Sequence, residues 1–359
     1  MNTPTKSPGR RAGFPACRFT GLSSPVCGPA LVALCLLSAC ASRPVEPPAP
    51  TRAVVWPAPP APARFAFERS LGGPVDLGVK RSTLGKFGDW LTGETRGAGA
   101  FVRPFGVALD AAGNLCVTDT AAKSVGCFEP ATRRWLRWTR IGKLAFQSPV
   151  GVSRAGETIY VADSGLGEVI AFDTGGRLRF RCRAPLVRPV AVMVAGGRLL
   201  VADSQLHAIC VFNLQGEYQS QFGRRGTAPG EFNFPTHLAT DAPGRIYVTD
   251  SMNCRIQIFD AAGTYLSQIG RIGDSPGCFS RPKGVAVSPQ GHVYVADALF
   301  DNIQVFDSAG RLLLPIGEAG QGPGEFGLPA GIAIASDGRI YVADCYNRRL
   351  QVLRYLGNP

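Results

Sequence analysis

Apolar and polar positions alternate along most of this chain in runs that are too short for helices. Residues 292–296, His-Val-Tyr-Val-Ala, alternate with period two, and residues 283–287 form an apolar run that a Ser-Pro-Gln-Gly turn separates from them. Two further short runs follow at 302–306 and 311–316. This pattern predicts four consecutive β-strands joined by tight turns. Pro315 fits an outermost strand, because its missing N–H would interrupt an inner ladder.

The same unit occurs six times, and each copy has a proline at its start and an aspartate fourteen or fifteen residues later. The prolines are Pro104, Pro149, Pro189, Pro235, Pro282 and Pro329. The aspartates are Asp119, Asp163, Asp203, Asp250, Asp297 and Asp344. Successive prolines lie 40 to 47 residues apart, which is the length of a four-stranded propeller blade. The sequence therefore predicts an all-β fold, a six-bladed β-propeller of four-stranded blades.

The sixth copy has only three strand-like runs, near residues 331–335, 339–343 and 349–355. Upstream of the first copy, residues 65–72 resemble the fourth strand of the other copies. We therefore expect an N-terminal strand to complete the last blade and close the ring, which removes exposed strand edges.

Two segments carry a motif of the NHL-repeat family. Residues 250–259 (Asp-Ser-Met-Asn-Cys-Arg-Ile-Gln-Ile-Phe) and 344–352 (Asp-Cys-Tyr-Asn-Arg-Arg-Leu-Gln-Val) resemble the family's core, in which Asp, Asn, Arg and Gln recur at fixed spacing. Residues 230–235 and 324–329 resemble its Pro-Gly-Glu-Phe linker between blades. The resemblance covers roughly residues 101–358, is strongest in the last three copies, and implies a six-bladed propeller.

The N-terminal region has the features of an export signal. Basic residues precede an apolar run at 30–37, and Leu37-Ser38-Ala39-Cys40 resembles the bacterial lipobox, in which the cysteine is acylated. We expect lipidation at Cys40, with an ordinary signal peptide as the alternative. Ala41 replaces the Asp that commonly retains such proteins in the inner membrane, which favours the outer membrane facing the periplasm.

The predicted domains follow from these features. They are a lipoprotein-type signal peptide at 1–39, the lipidated cysteine with a Pro-rich linker at 40–63, and the propeller at 64–359. Within the propeller we expect the closing strand at 64–76, an insertion at 77–100 and the repeats at 101–358. Residues 82–93 could form a short helix, either as a cap over the channel or as a partner-binding lid. Eight prolines between residues 43 and 63 predict an extended spacer.

Composition narrows the possible partners. The chain has 38 basic and 26 acidic residues, a net charge of +12. Four of the basic residues lie in the signal region, so a net charge of about +8 would remain after processing. In a cytosolic protein this charge would favour nucleic-acid binding, but export removes nucleic acid as a partner.

Seven cysteines follow Cys40, and their spacing suggests no metal site. Cys116 and Cys210 lie at strand positions and are expected to be free, as small hydrophobic residues. Cys254 and Cys278 lie in loops on one face of neighbouring blades, where a disulfide is conceivable in an exported protein.

The sequence offers little catalytic chemistry. It has three histidines, and His237 occupies the start of an innermost strand, where the other copies have Gly or Ala. A metal would need three or four ligands there. The six aspartates, one at the end of each second strand, read as acceptors of backbone N–H groups. We therefore expect no catalytic residue, no metal and no cofactor, with a metal-centred lyase or hydrolase as the alternative.

Strand order places the loops between the fourth and first strands and those between the second and third strands on one face. This face has cations, aromatics and amides, which are typical of protein and glycan contacts. The ligand-face candidates are Arg103, Phe105, Arg188, His237, Asn253, Arg281, Lys283, Asn302, Tyr346 and Asn347. The predicted function is a non-catalytic binding or scaffold module for an envelope protein or glycan, held at a membrane through its lipid anchor.

Overall fold

A computed structural model describes residues 53–79 and 99–357 of the chain. The signal region, Cys40 and the predicted helix at 82–93 lie outside the described residues. The described residues belong to one compact unit. Among the described residues, no helix has the length and apolar character needed to cross a membrane.

The prediction of a six-bladed propeller is confirmed. We number the blades 1 to 6 in chain order, and in each of the first five the four antiparallel strands follow one another across the sheet. The strands of blade 1 are Pro104–Leu109, Leu115–Asp119, Ser124–Glu129 and Arg134–Trp138. Those of blade 2 are Pro149–Ala155, Thr158–Asp163, Glu168–Asp173 and Leu178–Cys182. Those of blade 3 are Pro189–Ala195, Arg198–Asp203, Ala208–Asn213 and Tyr218–Phe222.

The later blades have the same arrangement. Blade 4 contains Pro235–Thr240, Ile246–Asp250, Arg255–Phe259 and Tyr265–Ile269. Blade 5 contains Pro282–Val287, Val293–Asp297, Asn302–Phe306 and Leu312–Ile316. Blade 6 begins with Pro329–Ile334, Arg339–Asp344 and Arg349–Tyr355. The predicted proline therefore opens the first strand of every blade, and the predicted aspartate closes the second.

The N-terminal segment completes blade 6, as the sequence predicts. Phe65–Leu71 pairs antiparallel with Arg349–Tyr355, with Phe65 opposite Tyr355 and Leu71 opposite Leu350. A short fifth strand, Val55–Trp56, pairs with the outer edge of Phe65–Leu71. These two residues lie in the segment that the prolines predict to be a spacer, and the structure instead hydrogen-bonds them to the closing strand.

Short elements connect the blades. A hairpin of Arg140–Ile141 and Leu144–Ala145 precedes blade 2, and Glu318–Ala319 pairs in parallel with Glu325–Phe326 before blade 6. Two 3₁₀ turns cover Pro74–Leu77 and Ser251–Asn253.

The hydrophobic core is divided among the junctions between blades. Each of six buried clusters combines residues of two neighbouring blades, including the pair formed by blades 6 and 1. At that junction Leu71 and Leu350 of blade 6 pack with Phe101 and Val107 of blade 1 and its linker. A single blade buries little apolar surface, so its stability depends on both neighbours.

The cysteine pairing differs from the prediction. Cys116 and Cys127 form a disulfide, and the prediction that Cys116 is free was wrong. The two residues lie directly opposite each other on the second and third strands of blade 1, where side chains of an antiparallel pair meet. Cys254 and Cys278 are free and buried, so the conceivable disulfide between them is not formed; Cys210 is free and buried, as predicted.

Deleting residues 64–73 removes the closing strand and leaves Arg349–Tyr355 as an unpaired edge. We expect the mature protein with this deletion to aggregate and to melt at a lower temperature, because an exposed edge strand recruits other chains. Size-exclusion chromatography and thermal unfolding measure both effects. A deletion of residues 53–61, which removes only the two-residue outer strand, is the control and should remain monomeric. A monomeric 64–73 deletion that melts like the parent would contradict the closure role.

Candidate ligand-binding face

Each linker between blades is fixed by one apolar side chain that packs inward and by one hydrogen bond. Three residues before the proline, an apolar side chain packs inside: Phe101, Phe146, Leu186, Phe232, Phe279 and Phe326. The next residue donates its backbone N–H to the aspartate that ends the second strand of the same blade, in all six blades. In blades 1, 2, 3 and 5 the aspartate also accepts N–H groups of the turn that follows, as in Ala122 N to Asp119 Oδ1 at 2.8 Å. The prediction that the aspartates accept N–H groups of this turn is confirmed in these four blades.

The residue just before the proline is held in two different ways. In blades 1, 2, 3 and 5 it donates its N–H to the same aspartate, as Arg281 does to Asp297 at 3.0 Å. In blades 4 and 6 it has a positive φ, 55° at Phe234 and 52° at Leu328. Its N–H then reaches a side chain of the preceding blade, His207 Nδ1 or Asp301 Oδ1.

Blades 4 and 6 use their aspartates differently because they carry the full Asn-Arg-Gln motif. In blade 6 the carboxylate of Asp344 accepts hydrogen bonds from Asn347, Arg349 and Gln351. In blade 4 the carboxylate of Asp250 accepts the equivalent bonds from the side chains of Asn253, Arg255 and Gln257. The motif is therefore an internal network that holds the linker against its blade.

Cations collect at the mouth of the central channel on this face. Two adjoining cavities of about 900 and 640 Å³ share Arg103, Phe105, Arg281 and Lys283 in their walls, and Arg188 lines the smaller cavity. The four cations are Arg103, Arg188, Arg281 and Lys283. In the part of the chain that the structure describes, none of them forms a salt bridge. The six aspartate carboxylates nearby are occupied by backbone and side-chain donors. The mouth is therefore positively charged.

Below the mouth the channel narrows where the first strands of the blades converge. The constriction encloses only about 10 Å³, and its lining includes His237, Lys283, Gly106 and Gly284. Glycine is required at the last two positions: a Cβ on Gly106 would lie 2.3 Å from the carbonyl oxygen of Val150, and one on Gly284 would lie 2.2 Å from that of Ala330. The neighbouring strands thus approach too closely for a larger residue.

Two titratable groups of the constriction have shifted pKa values. Burial lowers the pKa of His237 to about 4, so the imidazole is neutral at pH 7. Burial also lowers the pKa of Lys283, and the nearby guanidinium groups of Arg281 and Arg188 lower it further. The ammonium of Lys283 is thus held among like charges.

The structure brings most of the predicted candidates together. Arg103, Phe105, Arg281, Lys283, Tyr346 and Asn347 line the larger cavity, Arg188 lines the smaller one, and His237 lines the constriction. Asn253 is turned inward, donating to the carbonyl of Gly226 and to Asp250. Asn302 lies opposite Asp297 at the start of a strand and lines neither cavity.

Sequence reasoning missed an apolar component of this face. Seven exposed large hydrophobic residues of its loops lie one or two residues before a blade's first proline or in the turn after its aspartate: Val102, Val187, Phe234, Met252, Leu299, Leu328 and Tyr346. Only Tyr346, the most exposed of the seven at 73%, was among the candidates. Their positions one or two residues before the proline, or in the turn after the aspartate, were the signal available in the sequence.

Within residues 53–79 and 99–357, no group of three His, Cys, Asp or Glu side chains is placed to hold a metal ion.

Comparisons with known proteins agree with the fold. Residues 279–306 and 326–353 match the NHL repeat, and residues 178–243 and 237–289 match a family described as a 6-bladed beta-propeller. The chain is a six-bladed β-propeller with NHL repeats. No curated protein sequence matches it significantly.

Solved structures with a similar fold include proteins of different activities. A catalytically inactive virginiamycin B lyase from Staphylococcus aureus, solved with quinupristin, is 13% identical, with a TM-score of 0.52 over 71% of this chain and 95% of that chain. A gluconolactonase from Xanthomonas campestris is 14% identical, with a TM-score of 0.53 over 87% and 99%. A Bacteroides thetaiotaomicron protein of unknown function is 15% identical, with a TM-score of 0.55 over 72% and 71%. At these identities the similarity concerns the fold alone.

The shifted pKa of His237 predicts a loss of stability in mild acid. The pKa of the His237 imidazole is 6.5 in the unfolded chain and about 4 in the folded protein. Between these values the unfolded chain binds more protons, so the free energy of unfolding decreases as the pH falls, by at most about 1.4 kcal/mol per pH unit. Protonation would also place a second charge beside Lys283. Denaturant unfolding from pH 7 to 4 should show a shallower decrease for His237→Gln than for the wild type. Parallel curves would mean that His237 titrates normally.

Proposed function

We propose that the chain is an exported, lipid-anchored propeller that binds an envelope protein or glycan and performs no catalysis. The observation that carries the proposal is the channel-mouth face, which combines salt-bridge-free cations, aromatic residues and exposed aliphatic side chains. Arg, aromatic residues and Met are enriched at the centres of protein interfaces. Large exposed apolar patches in soluble domains mark sites of interaction.

The contrast with the opposite face supports this choice. There, Arg154 is buried and lies 3.2 Å from both the Asp110 and the Glu129 carboxylates. Arg311 is paired with Asp307 in a turn. Both of these arginines stabilise the fold, and each has a carboxylate partner. Arg103, Arg188 and Arg281 have none among the described residues, which leaves their guanidinium groups available to a ligand.

Two observations support export. The disulfide between Cys116 and Cys127 is of a kind that persists in oxidising compartments. The lipobox-like Leu37-Ser38-Ala39-Cys40 provides a residue for acylation. We propose that the mature protein is held by this lipid at the outer membrane and faces the periplasm, with no nucleic acid among its partners.

A metal-centred lyase or hydrolase is the alternative. It is favoured by His237, which lies in the channel constriction, and by the enzymes among the proteins of similar fold. A metal would need further ligands beside His237.

Capture of a partner tests the binding function. Mature protein purified in detergent is crosslinked to envelope extracts, and captured species are measured by mass spectrometry. We expect the double variant His237→Ala, Lys283→Ala to capture about tenfold less of the partner, because it removes two side chains at the centre of the face. Arg177→Ala, an exposed charge on the opposite face, should capture normally. Equal capture by both variants would place the site elsewhere. A stoichiometric metal in the same preparation, lost in the double variant, would favour the alternative.

Lipidation is tested separately. Wild-type protein should partition into the detergent phase, and Cys40→Ala should stay unprocessed or become soluble. Cys35→Ala changes a cysteine inside the apolar run and should be processed normally. A soluble wild type without lipid, beginning at Ala41 or later, would contradict the anchor.

A further inference from the structure

The arginines of the channel mouth occupy equivalent positions in alternate blades. Arg103, Arg188 and Arg281 each stand immediately before the proline of blades 1, 3 and 5. The same position in blades 2, 4 and 6 is held by Ser148, Phe234 and Leu328. Around the six-bladed ring, one blade therefore stands between each two of these arginines.

The backbone at each of these arginines is fixed on both sides. Its N–H donates to the aspartate of its own blade, as described above. Its carbonyl accepts the N–H of the residue after that aspartate, from Thr120 at 3.1 Å, Ser204 at 3.0 Å and Ala298 at 3.0 Å. The backbone therefore holds all three arginines at the rim, while their side chains remain without a carboxylate partner in the described residues.

Lys283 lies further into the channel than the three arginines. It shares both cavities with Arg103 and Arg281 and also lines the constriction. Among the described residues, the hydrogen-bond contact of the Arg281 guanidinium is a weak one to Met252 Sδ, at 3.7 Å. Burial and, after it, the like charges of Arg281 and Arg188 lower the pKa of Lys283, and an anion bound among these four side chains would relieve the repulsion between them.

We propose that Arg103, Arg188, Arg281 and Lys283 form a binding site for one multiply charged anionic group, a phosphate or a polycarboxylate, which the partner presents along the channel axis. This inference rests on the proposed function and names the chemistry that the face recognises. Arginine forks match the oxygens of carboxylates and phosphates. Three forks spread around an axis suit a group with at least three anionic oxygens. A neutral glycan or a purely apolar peptide would cover these charges, on three exposed arginines and the half-buried Lys283, without giving them partners.

Isothermal titration of the mature protein in detergent tests the site with two probes, inorganic pyrophosphate and citrate, and with glucose as the neutral comparison. At about 50 mM salt, where screening is weak, we expect at least one anion to bind with a Kd below about 1 mM. Glucose should not bind. Tighter binding of pyrophosphate would identify phosphate as the source of the charge, and tighter binding of citrate would identify carboxylate. The absence of binding by both anions up to about 10 mM would overturn the proposal.

Matched variants locate the site. Arg281→Gln with Lys283→Gln should weaken anion binding by about tenfold or more, and Arg133→Ala with Arg177→Ala, which removes two exposed charges from the opposite face, should leave it unchanged. Lys283→Arg keeps the charge and should retain most of the affinity. Thermal unfolding identifies any variant that fails to fold, in which case the single changes Arg103→Gln and Arg188→Gln replace it. If both double variants weaken anion binding equally, the binding depends only on the net charge of the protein.

The outcome also separates this inference from the proposed function. If the face captures an envelope partner while neither anion binds or competes, the anion site is wrong and the binding module stands. If pyrophosphate or citrate binds at these residues while no partner is captured, the site stands and the proposed partner is wrong.

Discussion

The hydrogen bond from each linker to the aspartate at the end of the second strand is the constraint on which the rest of the structure depends. It is made in all six blades. It satisfies a buried carboxylate, fixes the entry of the first strand, and determines where the residue before the proline stands. The chemistry of the channel mouth is therefore set by a position whose backbone is fixed by the fold and whose side chain is free to vary.

The aspartate is hydrogen-bonded in two different ways among the six blades. Where the Asn-Arg-Gln motif is complete, in blades 4 and 6, the aspartate is occupied by side chains, and the residue before the proline turns to positive φ with an exposed Phe234 or Leu328. Where the motif is absent, in blades 1 and 3, the aspartate takes a second backbone N–H and an arginine stands at the rim. All three rim arginines, Arg281 of blade 5 included, thus stand in blades whose aspartate binds their backbone N–H.

Much of the fold could be predicted because it depends on local sequence patterns. The proline and aspartate spacing gave the blades, and the similarity of residues 65–72 to a fourth strand gave the closure. The Cys116–Cys127 disulfide was missed because it depends on cross-strand register, which shifts every side chain when it moves by one residue. The inward turn of Asn253 was missed for a related reason, since its partner Gly226 lies in a linker whose course only the folded blade defines. The exposed apolar residues were missed because a hydrophobic residue beside a strand reads as core.

The closing strand gives this protein an unusual order of assembly. Phe65–Leu71 emerges from the ribosome before any blade, whereas its partner Arg349–Tyr355 is synthesised only after the five blades that lie between them in the sequence. The ring cannot close until these blades have been synthesised, and pairing of strands so far apart in the sequence is slow compared with local hairpin formation. Until then both strands are open edges with apolar side chains, and the nascent chain depends on whatever keeps it from associating with its neighbours.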